Sequence, residues 1–338
     1  MVGLAAGGVL RPDRLDPRTV LVISFRYHIV SIVSVFLALA VGIALGGGPL
    51  KGEVDNTLVD QVQADRAVKA DLRAQIAEAR SGNGFVDGFA DTVAPGLLNQ
   101  TLEGRTVTLV ALPGAQQSEV TAIGDMVGTA GGTLGGTLRV GDGLLDVSNK
   151  ELVDELSSQL LDGASDVNVP ADASGYETMG ALIARAIGTD KEPGGEGVDA
   201  TSDSILAGLS TAGLMSADGA LDRRGSLVLV VAGPGSGTEE ERTAASTITT
   251  TLATAIDADT DGVVVAGPMA SAREHGVVRA IRDDVVAARD VSTVDSLGRA
   301  AARVVSVMAL AGQAQDQTGH FGGVDAADGP MPGAGASE

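Results

Sequence analysis

The chain has 338 residues, 20% of them charged, with a net charge of −21, 2% aromatic residues and no cysteine. Such a composition excludes nucleic acid as a partner, because phosphates call for Lys and Arg and bases for stacking rings, and it leaves the acidity as a solvated surface. Disulfides and thiol redox chemistry are excluded too, and the length suits one large or two small globular units once an apolar N-terminal segment is set aside.

Residues 1–22 are rich in Gly, Ala and Arg without apolar periodicity and are expected to be a disordered tail. Translation from Val20 or Val22 is an alternative start. Residues 23–48 are predicted to form a transmembrane helix. From Ile29 to Leu45 no residue is charged and only Ser31 and Ser34 are polar. At 1.5 Å per residue, roughly 17 such residues reach the short end of what spans a hydrocarbon core, and Gly46 to Gly48 can extend them. A helix of a soluble core would carry a polar stripe, which this run lacks. Arg11, Arg14, Arg18 and Arg26 precede it and Lys51 alone follows closely, which places the N-terminus in the cytoplasm and exports the remainder. The competing reading is a signal peptide cleaved after Ala38-Leu39-Ala40; the uncleaved anchor is preferred because the helix continues into the next segment. Ser34, Ala38, Gly42 and Gly46 recur every fourth residue, a small-residue face of the kind on which helices associate in lipid.

Residues 51–80 are predicted to form a long amphipathic, coiled-coil-like helix. Val54, Leu58, Val62, Val68, Leu72 and Ile76 lie within an arc of about 120°, in two triplets offset by two heptads. Gln61 and Asp65 interrupt the seam. Arg66, Lys69 and Arg73 flank it on one side and Glu53, Asp60, Asp71 and Glu78 on the other. Self-association through this stripe and packing on the chain's own globular domain are both consistent with the pattern. The glycines of "SGNG", 81–84, are expected to end the helix.

Residues 84–316 alternate short β-branched runs with amphipathic helical segments and are predicted to form an α/β layered domain with a mostly parallel sheet. "TVTLVALPGA" (106–115), "SLVLVVAGPGSG" (226–237) and "GVVVAGPMAS" (262–271) read as apolar strands closing in Pro-Gly or Gly-Pro turns. VVAGP occurs at both Val230 and Val264, one strand-helix-strand step apart. Residues 317–338 are Gly-, Ala- and Pro-rich and are expected to be disordered beyond their first few positions, with the aromatic of "TGHFGG" able to dock back on the domain.

No enzymatic apparatus is visible. "AGPGSGTEEERTAAS" places a Gly-rich turn between strand and helix, but the dinucleotide fingerprint fails at Thr238 and no Gly-Lys-Ser/Thr triplet follows. Thr238 with Glu241 reads instead as a capping box, and Glu239 to Glu241 favour the positive helix end while repelling an anion. His28, His275 and His320 are scattered: an interfacial residue, a solvated residue in a polar helical segment and a turn residue respectively. Met126, Met179, Met215, Met269, Met308 and Met331 are unclustered. No metal-binding residues can be assigned, and no cofactor is expected.

The start "ISFRYHIVSIVSVFLALAVGIALGGGPL", the polar helix after it, "GRTVTLVALPGA" (104–115), "VSTVDSLGRAAARVVSVMALAG" (291–312) and the terminal "TGHFG" together resemble the mycobacterial copper transport protein B family (MctB) over nearly everything after residue 22. The resemblance implies a membrane protein of copper homeostasis and efflux, a channel-forming outer-membrane component of the envelope, with copper as transported ion. It supplies no catalytic residues. An outer-membrane barrel would need many alternating strands of about 9–11 residues, which this chain lacks, and one helix offers an ion only Ser31 and Ser34, so a pore requires an oligomer or an envelope partner. The alternative is a non-transporting envelope scaffold that recruits partners through its helix and α/β domain.

Overall fold

The computed structural model describes residues 25–46 and 50–333, the side chains of 50–58 excepted. The segments 1–22 and 334–338, the arginines before residue 25 and the side chains of Val54 and Leu58 lie outside the described residues. The chain divides into two units, Met1–Ala79 and Arg80–Glu338. Helix α1 is Phe25–Gly46, 22 residues with no buried side chain. At 1.5 Å each it is about 33 Å long, and it is long and apolar enough to cross a membrane.

Helix α2 is Leu50–Leu98 and does not end at residues 81–84 as expected. A helical glycine costs only about 1 kcal/mol relative to Ala, and contacts further along outweigh that. Ala90, Ala94 and Leu98 are buried, Asp87 accepts from the Ala300 N–H at 3.1 Å and pairs with Arg299, and Arg299 also donates to the Asn83 carbonyl at 2.9 Å. These anchors hold the last turns helical through the glycines. Pro95 sits in the last turn, where it removes one helical hydrogen bond.

The second unit continues with β1 (Thr106–Ala111), α3 (Gln117–Thr129), β2 (Thr133–Val140), the short α4 (Asp142–Leu145), α5 (Lys150–Gly163), α6 (Gly175–Ile187), β3 (Glu196–Gly197), α7 (Ala200–Thr211), β4 (Met215–Ala217) and β5 (Arg223–Arg224). It is completed by β6 (Leu227–Val231), α8 (Glu239–Asp257), β7 (Val263–Ala266), α9 (Val277–Asp283), α10 (Ala287–Asp290), β8 (Ser292–Val294), α11 (Ala300–Gln313) and β9 (His320–Phe321). Seven strands form one sheet in the order β4-β2-β1-β6-β7-β8-β9, parallel throughout except for β4 at the edge, while β3 and β5 form a separate antiparallel pair.

The apolar runs read from the sequence are β1, β6 and β7, the three strands at the centre. Every residue of these strands is buried, because helices cover both faces. Val110, Leu138, Val228, Val230, Val263 and Val265 face α5 to α9. Val107, Leu109, Leu227, Leu229 and Val264 face α3, α11 and the end of α2. The two VVAGP copies end adjacent parallel strands joined by α8.

Helix α11 covers the opposite face from α8 and α9, yet β9 steps in the same direction as β7 and β8. The β8-α11-β9 connection therefore has the opposite hand to the two crossovers before it, an arrangement parallel sheets seldom adopt. The segment expected to be disordered from residue 317 is instead folded onto the domain through Gly333: β9 pairs with β8, Phe321 is 8% exposed, and Val324 and Met331 pack against the two cores. The composition failed as a guide here because the segment is held by polar contacts to a buried pair of charges rather than by its own apolar content.

Candidate functional site

The residues read as association surfaces are placed as follows. Ser34, Ala38, Gly42 and Gly46 lie on α1, exposed; the Ser34 hydroxyl donates to the Val30 carbonyl at 2.8 Å, and open space surrounds Gly42 and Gly46. On α2, Val62, Val68, Leu72 and Ile76 are about half exposed, and Val59 with them. Counted at 100° per residue, Ala90, Ala94 and Leu98 fall on the same arc of the wheel, so one stripe supplies both the exposed residues and those buried in the second unit. A separate arc of α2 exposes Phe85 and Phe89, beside Val86 at the edge of the stripe. Phe85 is 77% exposed in a chain with only five phenylalanines.

A cavity of about 310 Å³ opens at the carboxyl ends of β1 and β6. The chain leaves β1 for β2 on one side and later returns to β6 on the other, so this is the point where the strand order reverses, the usual ligand crevice of an open parallel sheet. Leu112 and Pro113 after β1, Ala232 to Gly237 after β6, the start of α8, the α4 region and His275 line it. The capping box predicted at Thr238 is present: its hydroxyl accepts from the Glu241 N–H at 3.3 Å and its own N–H donates to Glu241 Oε2 at 2.7 Å. Arg242, in the next position, was not singled out by any motif. Its Nε is buried without a hydrogen-bond partner.

At the far edge of the sheet lies a second polar constellation. Asp295, fully buried, accepts from the N–H groups of Gly323 and Val324 and from the Ser296 hydroxyl, and pairs with Arg282 at 3.2 Å. Arg282 also donates to the carbonyls of Val324 (2.6 Å) and Phe321 (2.9 Å) and to Thr293 Oγ1 (2.9 Å). Gly322 has φ +139°, and a Cβ there would run into the Asp295 carboxylate, so only glycine fits. Here "VSTVDS" and "TGHFGG" meet: both of these sequence motifs serve one clamp.

His320 belongs to this clamp. Its Nε2–H donates to the Ala288 carbonyl at 3.0 Å, leaving Nδ1 to accept from the Thr293 hydroxyl at 2.9 Å, and burial pushes its pKa below the ordinary value. His275 is not the solvated helical residue expected. It sits between helices at φ +64°, three-quarters buried, with Nδ1 2.8 Å from Thr243 Oγ1. His28 is exposed on α1. Among the described residues no three His, Asp or Glu side chains are grouped to hold a metal ion. The methionines divide between faces: Met179 and Met215 are buried on one, Met126, Met308 and Met331 pack on the other, and Met269 is exposed.

Comparison with known proteins adds the following. The family model described as copper transport outer membrane protein, MctB, matches residues 22–332. Relatives named copper transporter MctB from Mycobacterium bovis and Mycobacterium tuberculosis are 27% identical over 297 residues, which cover 85% of this chain and 92% of theirs. A relative of the same name from Mycobacterium leprae is 26% identical over 309 residues, with the same coverage. These relatives are named as transporters and not as enzymes.

Proposed function

The chain belongs to the MctB family, and from that premise we propose that it is a membrane-anchored component of copper transport that promotes efflux as an oligomer or together with an envelope partner. The match across nearly the whole chain carries this reading, and α1 supports membrane association. The described sheet is open, its strands span two to eight residues and helices cover both faces, so it offers no lumen of its own. One apolar helix cannot enclose a pore either. Permeation therefore belongs to several copies, joined through the small residues of α1 and the stripe of α2, or to a partner. With thiolates absent from the sequence and methionines dispersed, copper is passed on and not stored.

In this reading the N-terminus is cytoplasmic and both α2 and the α/β unit are outside, as the arginine bias requires; a cysteine introduced at Asp60 or Ala200 reacts with an impermeant thiol reagent in intact cells, and reaction only ahead of Arg26 would reverse the orientation. Deleting the gene raises cellular copper and copper sensitivity, while a competition titration of the full-length protein gives no tight copper(I) site. Exposed Phe85, Val86 and Phe89 favour the second reading, an envelope scaffold that recruits partners without transporting. Normal copper content in the deletion strain would put that reading first.

A further inference from the structure

The cavity at the strand-order reversal carries polar groups that the fold leaves unused, and we propose that it binds a small organic carboxylate, with the carboxylate on Arg242 and the glycine-rich turn and its apolar body against the cavity wall. This site is independent of copper.

Most of the polar side chains in the wall are already satisfied. The Ser246 hydroxyl donates to the His275 carbonyl, Thr249 to the Ala245 carbonyl and Ser271 to the Pro268 carbonyl. Glu241 is taken up by the helix cap. Arg242 differs. Among the described residues its side chain makes no hydrogen bond and no ion pair, although its Nε is buried, and it lines the cavity. Its guanidinium is a permanent cation on the cavity wall that no carboxylate among the described residues pairs with, and a ligand anion can supply that partner.

The neighbouring turn offers the matching donors. Among the described residues the N–H groups of Gly233, Gly235, Ser236 and Gly237 have no partner in the chain, and Gly235 and Gly237 take φ values of +76° and +91°. Successive free N–H groups on a turn with left-handed positions form an anion-binding concavity. Gly235 lies over the arginine stem; a Cβ there would stand 3.5 Å from Arg242 Cδ.

Charge and size then choose the anion. Asp142, Asp146 and Glu241 line the same cavity and Glu239 and Glu240 occupy the first turn of α8, so a polyphosphate is repelled, whereas the one charge of a carboxylate is offset by Arg242. A volume of about 310 Å³ suits a compact molecule. Leu112, Ala232, Ala245 and Val277 supply apolar wall for its body.

The test is calorimetric titration of the full-length protein in detergent with 4-methylpentanoate and benzoate, their neutral amides, inorganic phosphate and ATP. At least one carboxylate is expected to bind saturably, its amide about tenfold or more weakly, because the amide lacks the charge that pairs with Arg242. Arg242→Gln should weaken carboxylate binding by a similar factor, and Ala245→Leu should abolish it by filling the cavity, both at unchanged melting temperature. Failure of both carboxylates to bind, equal binding of acid and amide to the unaltered protein, insensitivity to Arg242→Gln, or tighter binding of phosphate or ATP would each overturn the proposal.

Discussion

Asp295 is fully buried and accepts from two backbone N–H groups, a hydroxyl and Arg282, so it is the point to which the C-terminal segment is tied. Removing the cation while leaving the carboxylate is the damaging change, because a buried charge then loses its partner. Arg282→Met is expected to cost about 3–5 kcal/mol in denaturant unfolding and to expose the chain after Thr318 to limited proteolysis. A variant as stable and as protease-resistant as the parent would remove the clamp from the account. Asp257 contributes in the opposite sense. Burial pushes its pKa up to about 7, against the 3.8 of a free side chain, although the Val263 N–H donates to it at 3.0 Å. Between those values the folded state holds a proton that the unfolded state has lost, so stability falls as pH rises from about 4 to about 7 and the deficit is complete above that. Asp257→Asn keeps the acceptor for Val263, and it should raise the melting temperature at pH 8 while changing it little near pH 4. His320, lowered by burial, acts the other way, losing stability as pH falls through about 6.5, which is why the comparison is made within the Asp257 variant.

At the scale of elements, α1 and α2 present the surfaces an assembly would use. A Cβ at Gly42 or Gly46 meets nothing within 4 Å in the single chain, so Leu at both positions leaves the isolated helix undisturbed and acts only on a close helix crossing. Gly42→Leu with Gly46→Leu is expected to reduce the oligomers trapped by crosslinking in membranes; an undiminished oligomer would assign assembly to α2 or to the α/β unit. The strands were legible because β1, β6 and β7 are buried on both faces and so read as unbroken apolar runs. The cap of α8 was legible because Thr238 and Glu241 satisfy backbone groups four residues apart at most. The course of α2 past Gly82 and Gly84 was not, since what overrides the glycines is Arg299, more than two hundred residues away. The docking of residues 319–333 was hidden for the same reason: its holders, Arg282 and Asp295, look like ordinary surface charges in the sequence. The switch-point cavity needs the strand order, which no local pattern contains.

For the whole molecule, α1 and the α/β unit divide the work. The first is long and apolar enough to hold the chain in a membrane, and the second is a doubly wound domain whose cavity and exposed phenylalanines suit binding better than ion passage. In the proposed reading, transport depends on an assembly, with copper moving through a pathway that several copies or a partner complete. The family description places such proteins in the outer membrane, and α1 is the one helix among the described residues long and apolar enough to cross a membrane, so the proposed pathway is tested by following copper itself. The most direct measurement is the rate at which radioactive copper leaves preloaded cells that carry the gene, lack it, or lack it and are complemented. The account predicts slower efflux on deletion and full recovery on complementation, and efflux at the same rate in all three strains would contradict it.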